Sequence, residues 1–342
     1  MKRIFIVDDS AFVRRALSRV LAGEPRFRVV GEAGSGAEAL ARIPSADPDF
    51  VTLDVAMPGM DGLQVLPALL RWKPSLRVVM LSAHTREGAT ATVSALAAGA
   101  VDFIDKTALN VMDLEVLKRE VVERLDALSP GVAVPNGAAA AAAPAPDALA
   151  DVAACELCVI GASTGGPAAV QRILQALPTR FPMPVVVVQH MPSGFTDAFA
   201  RRLDSLSRLR VAEGVEGQRL VPGRVVIAPG GQHLRLSPGL AVVLTPEPAD
   251  ARHVPSIDVT MRSAARSKPG RVLGILLTGM GEDGAEGMAT IRAGGGITIA
   301  ESEASCVVYG MPRAAIRRGG ATWVMSLGEI AGLLGAVNGM SS

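Results

Sequence analysis

The chain has 342 residues and a formal net charge of +1 at pH 7, so two domains are expected, and net charge draws neither nucleic acid nor a membrane surface. Aromatic residues make up 3% of it, which argues against base-stacking platforms. Three cysteines cannot build a disulfide framework, the opening IFIV run is too short for a signal peptide, and no apolar run reaches the roughly 18 residues of a spanning helix, so a cytoplasmic protein without membrane insertion is expected.

From the N-terminus, short apolar runs alternate with segments of helical period. RIFIV precedes FVRRALSRVLAG, which closes on Gly23, and FRVVGEA precedes a helix around Ala37 to Ile43. FVTLDV, LRVVMLSA and AVDFIDK follow, and a last amphipathic segment runs through Leu128. Five strands alternating with helices predict a parallel, doubly wound α/β sheet. Reactive groups in such a sheet gather at the carboxyl ends of the strands. Asp8 and Asp9 end the first strand, Asp54 the third, Ser82 the fourth and Lys106 the fifth. Three carboxylates, a hydroxyl and an ammonium therefore converge on one rim. Two carboxylates about 4 Å apart repel by about 4 kcal/mol at an effective dielectric of 20. A hard divalent cation with oxygen ligands, Mg²⁺ in particular, relieves this and also binds a phosphoryl group; Lys106 and Ser82 can take its remaining oxygens.

The stretches IVDDS, LDVAMPGMDG, MLSA and DFIDK resemble the receiver domain of two-component signalling, over residues 1 to 125. The resemblance implies a flavodoxin-like fold and phosphorylation of Asp54 by a histidine kinase. It also implies Mg²⁺ held by Asp8, Asp9, Asp54 and the carbonyl of Ala56, and Phe103 repacking when Ser82 moves toward the phosphate. Ala56 stands where the family usually has a larger polar side chain, and Thr107 where proline is usual. The first bears on phosphoryl lifetime and the second on loop shape.

Residues 130 to 150, PGVAVPNGAAAAAAPAPDALA, carry almost no charge and no large side chain. They read as an Ala/Pro-rich linker, because the breakers leave about ten residues between them, too few for an isolated helix. Beyond it the alternation resumes with LCVIGAS, PVVVVQH, RVVIAPG, VLGILLTG and GITIAES, and RVVIAPG meets LAVVLTP across HLRLSPG as an inserted edge hairpin. A second, Rossmann-like parallel sheet from residue 152 to 342 is predicted.

Ser163 follows LCVIG and precedes a helix near Pro167, so its hydroxyl sits beside unpaired N–H groups at the positive end of the helix dipole. Gly165 and Gly166 let a substrate carbonyl approach the backbone. His190 follows the next strand and Asp283 follows VLGILLT, on the same rim. Alone, Ser163 or Asp283 would be a helix cap and His190 a strand-end residue, as His84, His233 and His253 are read to be structural or solvated. Together they form a nucleophile, a base and its orienter. A rival lies in the same loop. Gly279, Gly281 and Gly284 fit G-x-G-x-x-G, with Glu301 about 20 residues on, as in a dinucleotide-dependent oxidoreductase. Against it, Glu282 and Asp283 put negative charge where a pyrophosphate must sit. A non-catalytic receptor-binding adaptor is the other alternative. Cys155 and Cys158 read as packing, since a C-x-x-C without a second pair completes no metal site.

GASTGGP, QHMPSGFTDAF, RVVIAPGGQHLRL, SIDVTMRSAA, LLTGMGEDGAEGM and CVVYGMPRAA resemble the catalytic domain of the CheB family of chemotaxis methylesterases. The resemblance implies hydrolysis of glutamyl methyl esters on chemoreceptors, deamidation of particular glutamines there, Ser163, His190 and Asp283 as the triad, and the amides of Thr164 and Met280 as oxyanion donors. No cofactor is expected for ester hydrolysis, a monomer is expected, and the receiver is expected to restrain the catalytic half until Asp54 is phosphorylated.

Overall fold

The computed structural model describes residues 1–83, 85–107, 114–129 and 148–337. His84 and residues 130–147 of the expected linker lie outside them. The chain divides into two units, Met1–Val134 and Pro135–Ser342.

The first unit has strands β1 (Lys2–Val7), β2 (Phe27–Ala33), β3 (Phe50–Asp54), β4 (Arg77–Ser82) and β5 (Asp102–Asp105), alternating with helices α1 (Ala11–Ala22), α2 (Gly36–Ala46), α3 (Gly62–Trp72), α4 (Arg86–Ala97) and α5 (Leu114–Ala127). The sheet is parallel throughout, in the order β2-β1-β3-β4-β5. Every residue of β3 is buried, as a strand covered by helices on both faces requires. Helix starts are set locally: Ser10, Ser35, Asp61 and Thr85 each accept a backbone N–H of the first turn, and Asp61 pairs with Gln64 in a capping box.

The second unit opens with α6 (Ala148–Ala153), which takes up the last residues of the expected linker. Strands β6 (Leu157–Ala162), β7 (Val185–Gln189), β8 (Arg210–Glu213) and β9 (Arg224–Ile227) precede a hairpin of β10 (His233–Leu236) and β11 (Val242–Thr245). Strands β12 (Val272–Leu276), β13 (Ile297–Glu301) and β14 (Trp323–Met325) follow. Helices α7 (Gly166–Ala176), α8 (Phe195–Leu206), α9 (Ile257–Ser267), α10 (Ala285–Ala293), α11 (Met311–Arg317) and α12 (Leu327–Ala336) complete it.

Seven strands form one parallel sheet, β14-β13-β12-β6-β7-β9-β8. The hairpin differs from expectation. Its first strand lies inside HLRLSPG and pairs antiparallel with Val242–Thr245 as a separate two-stranded sheet, while RVVIAPG supplies β9, an interior parallel strand between β7 and β8. The break falls at Pro229-Gly230-Gly231, after β9 has ended at Ile227 and before β10 begins at His233, and Gly231 takes φ +83° in the turn between them. Strands β8 and β14 are also additional to the expected set. Both are short edge strands, and RVAE carries a charge at either end.

Strand β6 lies between β7 and β12, so the chain winds outward from it in both directions and leaves a crevice above its carboxyl end. Gly161 near that end is fixed by packing: a β-carbon there would lie 2.4 Å from Ile257 Cγ2 and 3.0 Å from Leu276 Cδ1. The missing side chain lets the first residue of α9 rest on β6. Gly161→Ala is expected to lower unfolding stability by about 1–3 kcal/mol, the usual cost of overpacking. Urea denaturation midpoints would read this, and an unchanged midpoint would show that the start of α9 yields freely.

Candidate functional site

Ser163 leaves β6 in a turn held on three sides. Its amide donates to Thr278 O (3.0 Å), and its carbonyl accepts from Gly166 N (2.7 Å) and from Gln189 Nε2 (2.9 Å). Gly165 adopts φ +77°, which turns the chain into α7. A β-carbon on Gly166 would fall 2.2 Å from Gln189 Oε1, so glycine is required for that close approach. Gly279 also comes close: an added β-carbon would be 2.7 Å from Ser163 Cβ. The loop after β12, with Met280 next in chain, therefore lies alongside the hydroxyl, and Thr164 follows it directly.

His190 continues from β7, its amide bonded to Ala162 O at 3.1 Å. Its Nδ1 is 3.2 Å from Ser163 Oγ and its Nε2 2.8 Å from Asp283 Oδ2. A carboxylate only accepts, so Nε2 carries the proton in the neutral ring and Nδ1 presents a lone pair to the serine. Asp283 is bound on both oxygens. Oδ1 accepts from Ser256 Oγ (3.0 Å) and Asp258 N (3.0 Å), and Oδ2 accepts from Ile257 N (2.8 Å) as well as from His190. These donors are the N-terminus of α9, whose N-cap is Ser256. Burial works against the charge of Asp283, but the bonds to His190 and to these amides outweigh it and hold the carboxyl well below the usual range. The arrangement can take a proton from the serine and stabilise the imidazolium that results.

In the first unit Asp8 and Asp54 are buried and Asp9 exposed, and one carboxylate oxygen from each lies within 4.8 Å of the others. Lys106 Nζ is 2.7 Å from both Asp8 Oδ2 and Asp54 Oδ2. One ammonium against three carboxylates leaves a surplus of negative charge, and a divalent cation with oxygen ligands fits it. Burial, ahead of the opposing bond from Lys106, pushes Asp54 up to about 6. Ala56 N donates to Asp54 Oδ1 at 3.3 Å, and Ala56 itself is exposed. Ser82 is buried at the end of β4 and directs its hydroxyl to Gly88 O (3.2 Å) and Ala83 O (3.3 Å); Phe103 is buried on β5. Thr107 uses the N–H that proline lacks. Its amide and hydroxyl both donate to Asp105 Oδ1, at 2.9 and 2.7 Å.

Family models match both units of the chain. A family model described as CheB methylesterase matches residues 158–334, and one described as response regulator receiver domain matches residues 4–116. Protein-glutamate methylesterase/protein-glutamine glutaminase 5 of Myxococcus xanthus is 45% identical over 328 residues, covering 94% of this chain and 93% of its own. The chain belongs to the CheB methylesterase family. A protein-glutamate methylesterase/protein-glutamine glutaminase of Nitratidesulfovibrio vulgaris is 41% identical over 99% of this chain and 100% of its own. The crystal structure of the Thermotoga maritima CheB methylesterase catalytic domain superposes with a TM-score of 0.52 and 40% identity, over 54% of this chain and 99% of that one. In this CheB-family chain the receiver domain implies phosphorylation with a divalent metal. No helix among the described residues is long and apolar enough to cross a membrane.

The glycine fingerprint has another use here. Glu301, the acid a dinucleotide site would turn to a ribose, is fully buried and accepts from Thr278 N and Ser305 Oγ, each at 2.8 Å. Cys155 and Cys158 are buried as well. Burial pushes the Cys155 thiol up to about 11 and Cys158 further, so neither is a ready thiolate. His233 is structural: fully buried, it accepts from Ser256 N (3.0 Å), with Nε2 3.2 Å from Pro248 O. His253 is half-buried, and its ring stacks on His190. Ser256, Thr278 and Gln189 were not singled out from sequence. Ser256 before an apolar-periodic run was readable as an N-cap, but no local signal says what that helix start would hold.

Asp258, on the first turn of α9, has its carboxyl pushed up from 3.8 to about 6 by burial first, with the Asp283 charge adding and the Gly287 N–H opposing. The folded protein thus holds this proton more tightly than the unfolded chain. Stability from this group is fully present below about pH 4 and is lost as pH rises through 6. Asp258→Asn keeps an acceptor for Gly287 N, 2.6 Å from Oδ1, and cannot ionise. It is expected to be more stable than the parent at pH 7, with the gap closing toward pH 4. Paired denaturant titrations at the two pH values check this, and a gap that widens toward pH 4 contradicts it.

Proposed function

We propose that this protein hydrolyses glutamyl methyl esters on methyl-accepting chemoreceptors under control of phosphorylation at Asp54. The observation that carries this is the chain of contacts Ser163–His190–Asp283 at 3.2 and 2.8 Å. His190 Nδ1 takes the proton as Ser163 Oγ attacks the glutamyl γ-carbonyl. The tetrahedral oxyanion is received by the amides of Thr164 and Met280. Collapse breaks the ester C–O bond, and the imidazolium returns its proton to the departing methoxide as methanol. Water, deprotonated by the same His190, then attacks the acyl carbon, and the imidazolium returns that proton to Ser163 Oγ as its bond to the glutamyl carbon breaks. A glutamine side chain enters the same sequence with ammonia leaving, which is deamidation. Asp283 holds the tautomer throughout and stabilises the imidazolium.

In the receiver, Asp8, Asp9, Asp54 and the Ala56 carbonyl would hold Mg²⁺, which supplies charge neutralisation at the accepting carboxylate when bound. Lys106 pairs with the phosphoryl oxygens, Ser82 reorients toward them, and Phe103 repacks behind it. A chemotaxis-type histidine kinase is the phosphodonor, and the protein acts in the cytoplasm as a monomer with no nucleic acid partner. Residues 1–125 form the regulatory domain, 130–150 the linker and 152–342 the catalytic domain.

Ser163→Ala is expected to lower methanol release from methylated receptor by at least about a thousandfold, since the remaining donors cannot replace the nucleophile. Phosphorylation of Asp54 by a small-molecule phosphodonor with Mg²⁺ should be unchanged in that variant. Undiminished methanol release would overturn the serine mechanism. Deleting residues 1–129 is expected to raise basal turnover of receptor, as release of a restraint would; a fall in turnover would instead make the receiver an obligatory activator.

A further inference from the structure

The His190 imidazole has two edges and two faces. Its edges are taken by Ser163 and Asp283. One face is covered by the ring of His253, with centroids 4.2 Å apart and planes inclined by 18°. The His190 side chain keeps 9% of its surface exposed, and the stacked ring is one of the contacts that cover it. His253 stands three residues before Ser256 in a segment tied by Gly231 N to Val254 O at 3.3 Å. Ser256, Ile257 and Asp258 in the same run supply the donors to Asp283. One stretch of six residues, His253 to Asp258, therefore holds both the base and its orienter.

We propose that His253 is a positioning residue for ester hydrolysis, its ring stacking on the His190 imidazole to hold the plane that aims Nδ1 at Ser163 and to shield that face from water. The inference rests on the serine mechanism proposed above. A flat partner resists rotation of the ring about its Cβ–Cγ bond, which would put carbons where Nδ1 and Nε2 stand and break both contacts at once. The stack needs an aromatic plane and no proton of its own. That separates it from a hydrogen-bonding or acid–base part for His253.

The test measures kcat and KM for methanol release in the full chain with His253→Ala, His253→Phe and His253→Gln, beside Ser163→Ala. His253→Ala is expected to lower kcat about tenfold with KM nearly unchanged, since a misaimed base costs rate rather than binding. His253→Phe should recover most of the loss, and His253→Gln should not. Thermal melts of each variant separate lost aim from lost fold. If His253→Ala folds poorly, the Phe and Gln variants still decide. Phe as impaired as Gln, or Gln better than Phe, overturns stacking, and so does an Ala variant within twofold of the parent. Should Ser163→Ala itself remain active, the serine mechanism fails; a dead Ser163→Ala with an unaffected His253→Ala overturns the stack alone.

Discussion

The catalytic half depends on one seated charge, the Asp283 carboxylate on the N-terminus of α9. Removing a carboxylate from water costs several kcal/mol. Four donors meet it, two on each oxygen, and hydrogen bonds to a charged group contribute about 1.5–3 kcal/mol each. The dipole of the 11-residue helix α9 adds up to about 2 kcal/mol when partly buried. The attractive contacts win, so the group stays ionised without taking the proton of His190. It is thereby fixed as an orienter. Gly161 belongs to the same construction, because its bare α-carbon lets Ile257, the donor to Oδ2, rest on the strand that delivers the serine.

Much of this was legible, and the limit of legibility has a physical form. Strand ends were readable from apolar runs that stop at polar residues, and a parallel sheet places all such ends on one rim. That is why Ser163, His190 and Asp283 could be named although 27 and 93 residues separate His190 from its two partners. Their grouping needs only the winding rule, not side-chain detail. What could not be read was anything supplied by a segment arriving from elsewhere. Ser256 and His253 lie between the hairpin and α9, and nothing near them in sequence says that this segment returns over the rim. The hairpin failed for a related reason. RVVIAPG carries a continuous apolar run, as a strand covered on both faces requires, whereas HLRL alternates; the hairpin was misplaced because both segments are short and only the glycine break between them marks where one strand ends.

Both halves gather their polar groups at the carboxyl ends of parallel strands, with different results. In the receiver the strand termini gather like charges, Asp8, Asp9 and Asp54, against the single Lys106, and the site is left wanting a cation and a phosphoryl group. In the catalytic half the carboxylate meets two donors on each oxygen, from the start of α9 and from His190, and the arrangement can move a proton. The difference lies in where the helix N-termini point. A carboxylate at a helix start is neutralised by the fold itself, whereas carboxylates crowded at neighbouring strand ends are not. The first makes a site that is ready; the second makes one that responds to what it binds.

Glu301 shows how far the readiness of the catalytic site extends. Burial raises its pKa, yet it is retained at the end of β13 with no exposure at all. Its Oε2 accepts from Thr278 N, and Thr278 in turn accepts from Ser163 N, donates from Oγ1 to Thr164 O (2.9 Å) and accepts at Oγ1 from Val308 N (2.9 Å). One threonine thus ties the nucleophile turn, the loop that leads to Met280 and the loop of Val308 to a single buried acid. The serine and the amides proposed to receive the oxyanion are then set by the same atoms. Their spacing is therefore fixed by bonds that meet at one residue. Preorganised donors act without reorganising during the reaction only if such a spacing is held, and a buried carboxyl bonded to backbone holds it more stiffly than a solvated side chain would.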